Sequence, residues 1–436
     1  MISARRTASL AIAAALVFLS WATSPGAAAA QVVYPLEGAP YAAGVASPAG
    51  ATLAVMGGIL GHGGDVGAAA REALEEVGSR LREVGLSERN VLRVRAALAP
   101  GADFAAWNEA WTSHFDSGYL PARTTVGSSG LPDGALIALD VVAAFPPETG
   151  HPARVDGARA TTNPQIRLSG PADNPTAIVS TAAGLFLSSG ALPSRNDLSD
   201  PESMESHIRS SLNQLTSTLA DHGLQWHDAF FVRLLPTPQP GRSTPDFDGW
   251  LPVRETLAEM TGHAPAHAIW AAPGFGSGGR FVEIEVWAAP PAPHPTFATL
   301  DLEAANPLLV MSGSERSAIA SGAMIAPYAE LIWISGVVAP DGTAPEGEAA
   351  AALTLMRERV ESMGASMADV AELRVYRVSP GEEDTLADAW NAAYGAEFNS
   401  ATNPHKPVRT NYLVESLPGG RHVEVEAVLV RPPRRF

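Results

Sequence analysis

Cysteine is absent from all 436 residues. That removes thiol nucleophiles, iron–sulfur ligation, disulfides and Cys-type zinc sites together. Lysine occurs once, as Lys406 between His405 and Pro407, so a Schiff-base cofactor would have one loop-like position to attach to. Positive charge is also scarce: 29 basic residues stand against 46 acidic ones, a formal charge of −17. A chain this acidic is repelled by phosphate backbones and anionic membranes, so neither nucleic acid nor a membrane surface is an expected partner. Long apolar runs are missing beyond the first, at Ala8–Ala22.

That run follows Arg5-Arg6 and is succeeded by Ala28-Ala29-Ala30 before Gln31. Basic, apolar and small-residue regions in this order predict a secretory leader over residues 1–30, and the run is short for a membrane span. The expectation is an exported protein, periplasmic or secreted, by the Sec or the Tat route. Its mature form would keep 27 basic and 46 acidic residues, a charge of −19. That form is expected to be a monomer, with no membrane contact once the leader is gone.

What is present is a repeated stretch. Pro407–Ala427 (PVRTNYLVESLPGGRHVEVEA) carries a strand with Arg409, a Pro/Gly break and a second strand with Glu424 and Glu426. The same shape appears at Pro121–Ala143 and at Pro265–Ala289. Upstream of each lie two helical periods separated by a strand. In the first repeat, Asp65 is placed to cap a helix whose apolar face is Val66, Ala69, Ala70, Ala73, Leu74, Val77, Leu81 and Val84, and Gly85 ends it. Pro201–His222 and Glu346–Met363 repeat that face, and Asp103–Phe115, Asp246–Met260 and Glu382–Phe398 supply a second helix each. The spacing predicts three α+β units, 31–145, 165–289 (divergent) and 290–436, with 146–164 a Pro/Gly-rich linker. Each unit would be a mixed sheet with two helices on one face, and the uncovered faces would meet around a pseudo-threefold axis.

The runs GDVGAAAREALEEVGSRLREVGLSERNVLRVRAAL, DFAAWNEAW and PARTTVGSSGLP resemble the Rid family (reactive intermediate deaminases, YjgF-like). The resemblance covers most of the first repeat and the second half of the third. It implies a chorismate-mutase-like α+β fold in three tandem copies, packed as an intramolecular pseudo-trimer with ligand sites between units. It also implies hydrolysis of reactive 2-imino or enamine acids to 2-oxo acids and ammonia, with no cofactor and no metal.

By the same resemblance the substrate-carboxylate clamp is Arg123 or Arg409, and His267 stands at that position in the second repeat. A guanidinium offers a carboxylate two parallel donors, which imidazole does not; either arginine could also be an ordinary strand residue at the surface. The family's glutamate falls fifteen residues after the arginine, at Glu424. With one inserted residue it is Glu283, and in the first repeat the position is Ala138, with Asp140 two residues on. A positioned carboxylate can take the proton of an attacking water, although Glu-Val-Glu is also ordinary for a strand with a wet face. Asn411, Asn391, Asn108, Ser335, Gly336 and Tyr41 complete the implied substrate-binding set. The third repeat retains most of it and is the expected principal site, while the sequence leaves open whether Glu424 faces Arg409 or a site completed by another repeat. The alternative function is a non-catalytic exported pseudo-trimer that binds small carboxylates in clefts between units; a ribonuclease reading is disfavoured by the charge.

Other patterns have the wrong context. Gly274–Gly279 spells G-x-G-x-x-G between two strands rather than at a helix start. His263 and His267 have helical metal spacing, but Pro265 lies between them. His222 and His227 are expected at the surface.

Overall fold

A computed structural model of the chain describes residues 32–34, 41–42, 44–47, 50–115, 119–145, 159–161, 165–169, 176–242, 245–273, 279–292, 309–312, 322–327, 329–378 and 386–431. The expected leader, most of the expected linker and the G-x-G-x-x-G stretch at 274–278 lie outside the described residues.

Two short strands come first, β1 (Val32–Tyr34) and β2 (Gly44–Ala46). They are followed by β3 (Thr52–Gly61), α1 (Val66–Glu83), β4 (Val91–Leu98), α2 (Phe104–His114), β5 (Ala122–Gly127) and β6 (Ile137–Ala144). A second series runs β7 (Arg159–Ala160), β8 (Ile166–Ser169), β9 (Thr176–Ser180), β10 (Leu185–Ser188), α3 (Met204–Asp221), β11 (Ala229–Pro236), α4 (Leu251–Thr261), β12 (Ala266–Ile269) and β13 (Val282–Ala288). The third runs β14 (Leu309–Ser312), β15 (Gly322–Ile325), β16 (Glu330–Val338), α5 (Pro345–Ser362), β17 (Val370–Val378), α6 (Ala387–Glu397), β18 (Val408–Val414) and β19 (Val423–Arg431).

These elements form three mixed sheets, ordered β5-β4-β6-β3-β9-β8-β7, β12-β11-β13-β10-β15-β14 and β18-β17-β19-β16-β2-β1. In each, the pair at one edge is parallel (β4 with β5, β11 with β12, β17 with β18) and the remaining pairings are antiparallel. A mixed α+β protein with two helices per sheet agrees with the sequence expectation.

The strands join different partners from those the repeat boundaries suggest. The sequence places residues 32–46 in the first unit, yet β2 pairs with β16 of the third sheet. Likewise β9 pairs with β3 of the first sheet, and β15 with β10 of the second. The apolar alternation of these short strands makes them strands but carries no information about which edge they join. Arg159–Ala160, within the expected linker, is the edge strand of the first sheet. His222 is buried rather than at the surface: its Nδ1 lies 2.6 Å from Thr218 O at the end of α3.

Helix ends follow the local chemistry. Asp65 Oδ1 accepts from Ala68 N at 2.8 Å to start α1, Asp103 caps α2 in the same way, and Gly85 (φ 79°) closes α1 in the left-handed conformation. Leu74, Val77 and Leu81 of α1 pack on Val94, Ala96, Leu98, Leu139 and Val141, one face of β4 and β6. In the third sheet, Leu353, Met356 and Val360 of α5 pack on Leu373, Val375, Val425 and Ala427. Period-two alternation therefore turns the intervening residues, including Arg95, Arg374, Asp140, Glu424 and Glu426, to the opposite face.

That opposite face is buried against the other sheets. Arg95 lies opposite Asp140 across β4–β6, Arg233 opposite Glu285 across β11–β13, and Arg374 opposite Glu426 across β17–β19. Each arginine also reaches the acid of a neighbouring sheet: Arg95 bonds Glu426, Arg233 Nη2 lies 2.8 Å from Asp140 Oδ2, and Arg374 Nη2 lies 2.7 Å from Glu285 Oε2. The six side chains close a ring through all three sheets. Burial alone would raise the Glu426 pKa, but Arg95, Arg93 and Arg374 outweigh it and hold the carboxyl well below its usual range. Arg374 and Arg233 do the same for Glu285.

Candidate functional site between the sheets

The first arginine of β5 and of β18 is pinned by a serine of a different sheet. Arg123 N donates to Ser335 Oγ at 2.9 Å, and Arg409 N donates to Ser189 Oγ at 2.9 Å. Ser335 belongs to β16 in the third sheet; Ser189 directly follows β10 in the second. The glycine after each serine is what brings a glutamate in: a Cβ on Gly336 would collide with Glu424 Oε1, and one on Gly190 with Glu283 Oε1.

The side chains thus group crosswise. Glu424, on the inner face of β19, feels Arg123 of the first sheet, and Glu283, on β13, feels Arg409 of the third. The sequence left open whether Glu424 faces Arg409 or a site completed by another repeat; in the structure Arg409 and Glu424 lie at different junctions. The reason is the packing of the sheets: a strand-edge arginine lies over the neighbour's β16 or β10 segment, not over its own.

At the first junction Arg123 is 7% exposed, its Nη1 has no hydrogen-bond partner, and Glu424 Oε2, on a residue 4% exposed, has none either. The guanidinium carbon of Arg123 sits 4.7 Å from the Tyr41 ring and 5.1 and 5.8 Å from the Trp111 and Trp107 rings, an aromatic cage that holds it flat. Burial lowers the Arg123 pKa to about 10, against the opposing pull of Tyr41 and Glu424. Burial first, and then Glu426, raise the Glu424 pKa to about 8 against the attraction of Arg123 and Arg359.

The second junction has the same parts. Arg409 lies 4.3 Å from the Tyr394 ring and 6.0 Å from Trp390. Burial lowers its pKa, while burial and Glu285 raise Glu283 well above the ordinary carboxylate value. Gly190 N donates to Thr410 Oγ1 at 3.0 Å, tying the two sheets beside the glutamate. Asn411, two residues beyond Arg409 on the same strand face, has a buried Oδ1 with no partner. Its counterpart Thr125 accepts from Trp107 Nε1 at 3.0 Å.

The third junction has neither half. Gly57 lies against the backbone oxygen of His267, where a Cβ would stand 2.8 Å away, and against Phe231 and Ala268. Ala138 occupies the glutamate position on β6 and is buried among apolar residues.

Asn108 and Asn391 stand at the surface of α2 and α6. Both are exposed, one position after Trp107 and Trp390, which are fully buried; a step of one residue turns the side chain about 100° around the helix. Sequence reasoning also missed Arg359, which lies on α5 and reaches the Gly336 carbonyl from the helix side. An arginine inside an otherwise charged helical stretch, MRERVES, gives no sign of which face it takes. Arg95, Arg233 and Arg374 were missed as well, although each is the fifth residue of its strand, β4, β11 or β17, a shared place that could have marked them. Clefts of about 580 and 700 Å³ flank α1 and contain none of the paired residues. Among the described residues, no three His, Asp or Glu side chains gather as metal ligands.

Three mixed sheets with helices on their outer faces, and buried arginine–glutamate pairs where the sheets meet, define an α+β protein with candidate sites between its sheets. Similarity to known proteins agrees. The family model described as Endoribonuclease L-PSP matches residues 36–145. A RutC family protein of Synechocystis is 34% identical over 95 residues, 22% of this chain and 69% of the relative. A rat protein named 2-iminobutanoate/2-iminopropanoate deaminase is 34% identical over 86 residues, 20% of this chain and 62% of that protein. A solved Rid-family structure from Yersinia pestis covers 26% of this chain and 98% of its own, at 20% identity and a TM-score of 0.25. The chain belongs to the Rid (YjgF-like) family. It spans about three-fifths of the length of the deaminases it matches.

Proposed function

We propose that the chain hydrolyses small 2-imino or enamine acids to 2-oxo acids and ammonia, at the two crosswise pairs Arg123/Glu424 and Arg409/Glu283. The observation that carries this reading is the pairing of a caged, buried guanidinium with a buried carboxyl that has a free oxygen, Glu424 Oε2. The guanidinium takes the substrate carboxylate through two parallel donors. Near its pKa of about 8, Glu424 is present in both protonation states. The carboxylate form takes a proton from water as its oxygen bonds to the C=N carbon, and the acid form returns a proton to nitrogen. The tetrahedral carbon then loses its C–N bond. The water oxygen stays as the 2-oxo group, and the water hydrogens leave with ammonia.

The third junction, with His267 and Ala138, is proposed to be inert. We further propose that the three units work within a monomer as a pseudo-trimer, and that the chain is exported. A second reading, a carboxylate-binding protein without turnover, is favoured by that one junction having lost both halves. Ammonia release from 2-iminobutanoate generated in situ separates the two. The deaminase reading predicts a rate above the spontaneous one, reduced by Arg123→Ala and by Arg409→Ala. Binding of 2-oxobutanoate with no rate enhancement in the unsubstituted protein supports the binder.

A further inference from the structure

The first junction holds a second guanidinium that the second junction does not supply from the same place. Arg359 on α5 points its Nη1 at Gly336 O, 3.5 Å away, on the residue whose missing side chain makes room for Glu424. Arg123 is pinned one residue earlier, at Ser335. The two arginines therefore approach the same two-residue segment, Arg123 from the first sheet and Arg359 from the helix layer of the third. Tyr41 and Glu424 interact electrostatically with both. Among the described residues, neither guanidinium has a carboxylate within ion-pair distance, whereas Arg95, Arg233 and Arg374 of the central ring are each paired. Arg357, two residues earlier on the same helix, is committed to Glu397 at 2.7 Å. Position 359 corresponds to Thr218 on α3, which lines the second junction's unit and carries no charge.

Glu424 supplies at most one negative charge against these two cations, and near its pKa only part of one. A bound monocarboxylate would satisfy one guanidinium and leave the other, buried Arg123 or half-buried Arg359, without an anion. We propose that the Arg123/Glu424/Arg359 site takes a dianionic substrate, a 2-imino acid with a second carboxylate at the far end of its chain. Arg123 holds the carboxylate next to the reacting carbon, and Arg359 takes the distal one. This rests on the deaminase reading for the reaction but not for the binding. The chemistry is unchanged: water adds to the C=N carbon and ammonia leaves, with both carboxylates as spectators.

The test compares two five-carbon ligands that differ in the distal group. Imines are generated in situ by an amino-acid oxidase from glutamate and from norvaline, and the stable products 2-oxoglutarate and 2-oxopentanoate are bound calorimetrically. The expected result is a preference of about tenfold or more for the dicarboxylate in both readouts, as one added charge-assisted contact would give. Arg359→Gln should collapse the dicarboxylate-to-monocarboxylate ratio of kcat/KM toward one, mainly through KM, and Arg359→Lys should restore part of it. The ratio cancels any effect of the substitution on Glu424 itself. Equal affinity and equal turnover for the two ligands in the unsubstituted protein overturn the inference and leave the deaminase reading standing. Preferential binding of 2-oxoglutarate with no ammonia release from either imine supports the dianion site and sinks the deaminase reading. If Arg359→Gln does not fold, the comparison in the unsubstituted protein still decides.

Discussion

In the proposed chemistry Glu424 is the base, and burial sets its behaviour. Its carboxyl titrates near 8 rather than near the ordinary 4.5, because desolvation and the adjacent Glu426 outweigh Arg123 and Arg359. The folded state therefore keeps a proton that the unfolded chain releases above about 4.5. Stability contributed by the group is highest at acid pH and falls as pH rises toward about 8. Glu424→Gln removes this titration, so the drop in melting temperature between pH 6 and pH 9 should shrink. The same substitution removes the base, and turnover at the first junction should fall by roughly 10²- to 10⁴-fold. In the unsubstituted protein, kcat/KM should rise with pH and level off above about pH 8. A profile flat from pH 6 to pH 9 would show that Glu424 is not the titrating group. At this scale the sequence was informative through its family resemblance, which implied Arg123, Arg409, Glu424 and Glu283 as clamp and base; where the sheets meet, Arg123, Glu424 and Glu283 lie buried and Arg409 half-buried. Arg359 was not legible, since a charged residue on a charged helix gives no period to read.

Among the elements, β16 and β10 distinguish the two junctions proposed to be active from the third. Ser-Gly stands within β16 and directly after β10, the serine holding the neighbour's arginine and the glycine admitting the glutamate. β3 presents Met56-Gly57 instead, with Gly57 closed against His267 O. Gly336→Ala should displace Glu424 and cut turnover of the first junction by about a hundredfold or more, because a misplaced catalytic group loses its geometry. Gly57→Ala, at the junction proposed to be inert, is expected to cost stability and not turnover, read by thermal melting beside the ammonia assay. Most helices and strands were predictable from period and caps, within a few residues at each end. The exchange of β2, β9 and β15 between sheets was not. Short apolar strands have no partner-specifying residues, and only the edge left open by β16, β3 or β10 determines where they dock.

In the whole molecule, the ring of Arg95, Asp140, Arg233, Glu285, Arg374 and Glu426 fixes how the sheets face one another. Buried ion pairs add little net stability over apolar packing, but a closed ring has one register, which suits it to setting orientation. That orientation carries each edge arginine across to the next sheet, which is why the partner of Glu424 stayed open in a reading made repeat by repeat. The central claim is this crosswise pairing, and two double variants test it directly in the ammonia assay with a monocarboxylic imine. Arg409→Gln combined with Glu424→Gln should abolish turnover, since it damages both junctions. Arg123→Gln combined with Glu424→Gln should retain the activity of the intact Arg409/Glu283 junction. A dead Arg123→Gln/Glu424→Gln variant would contradict the account, because a site built within the third repeat from Arg409 and Glu424 would be lost in both double variants.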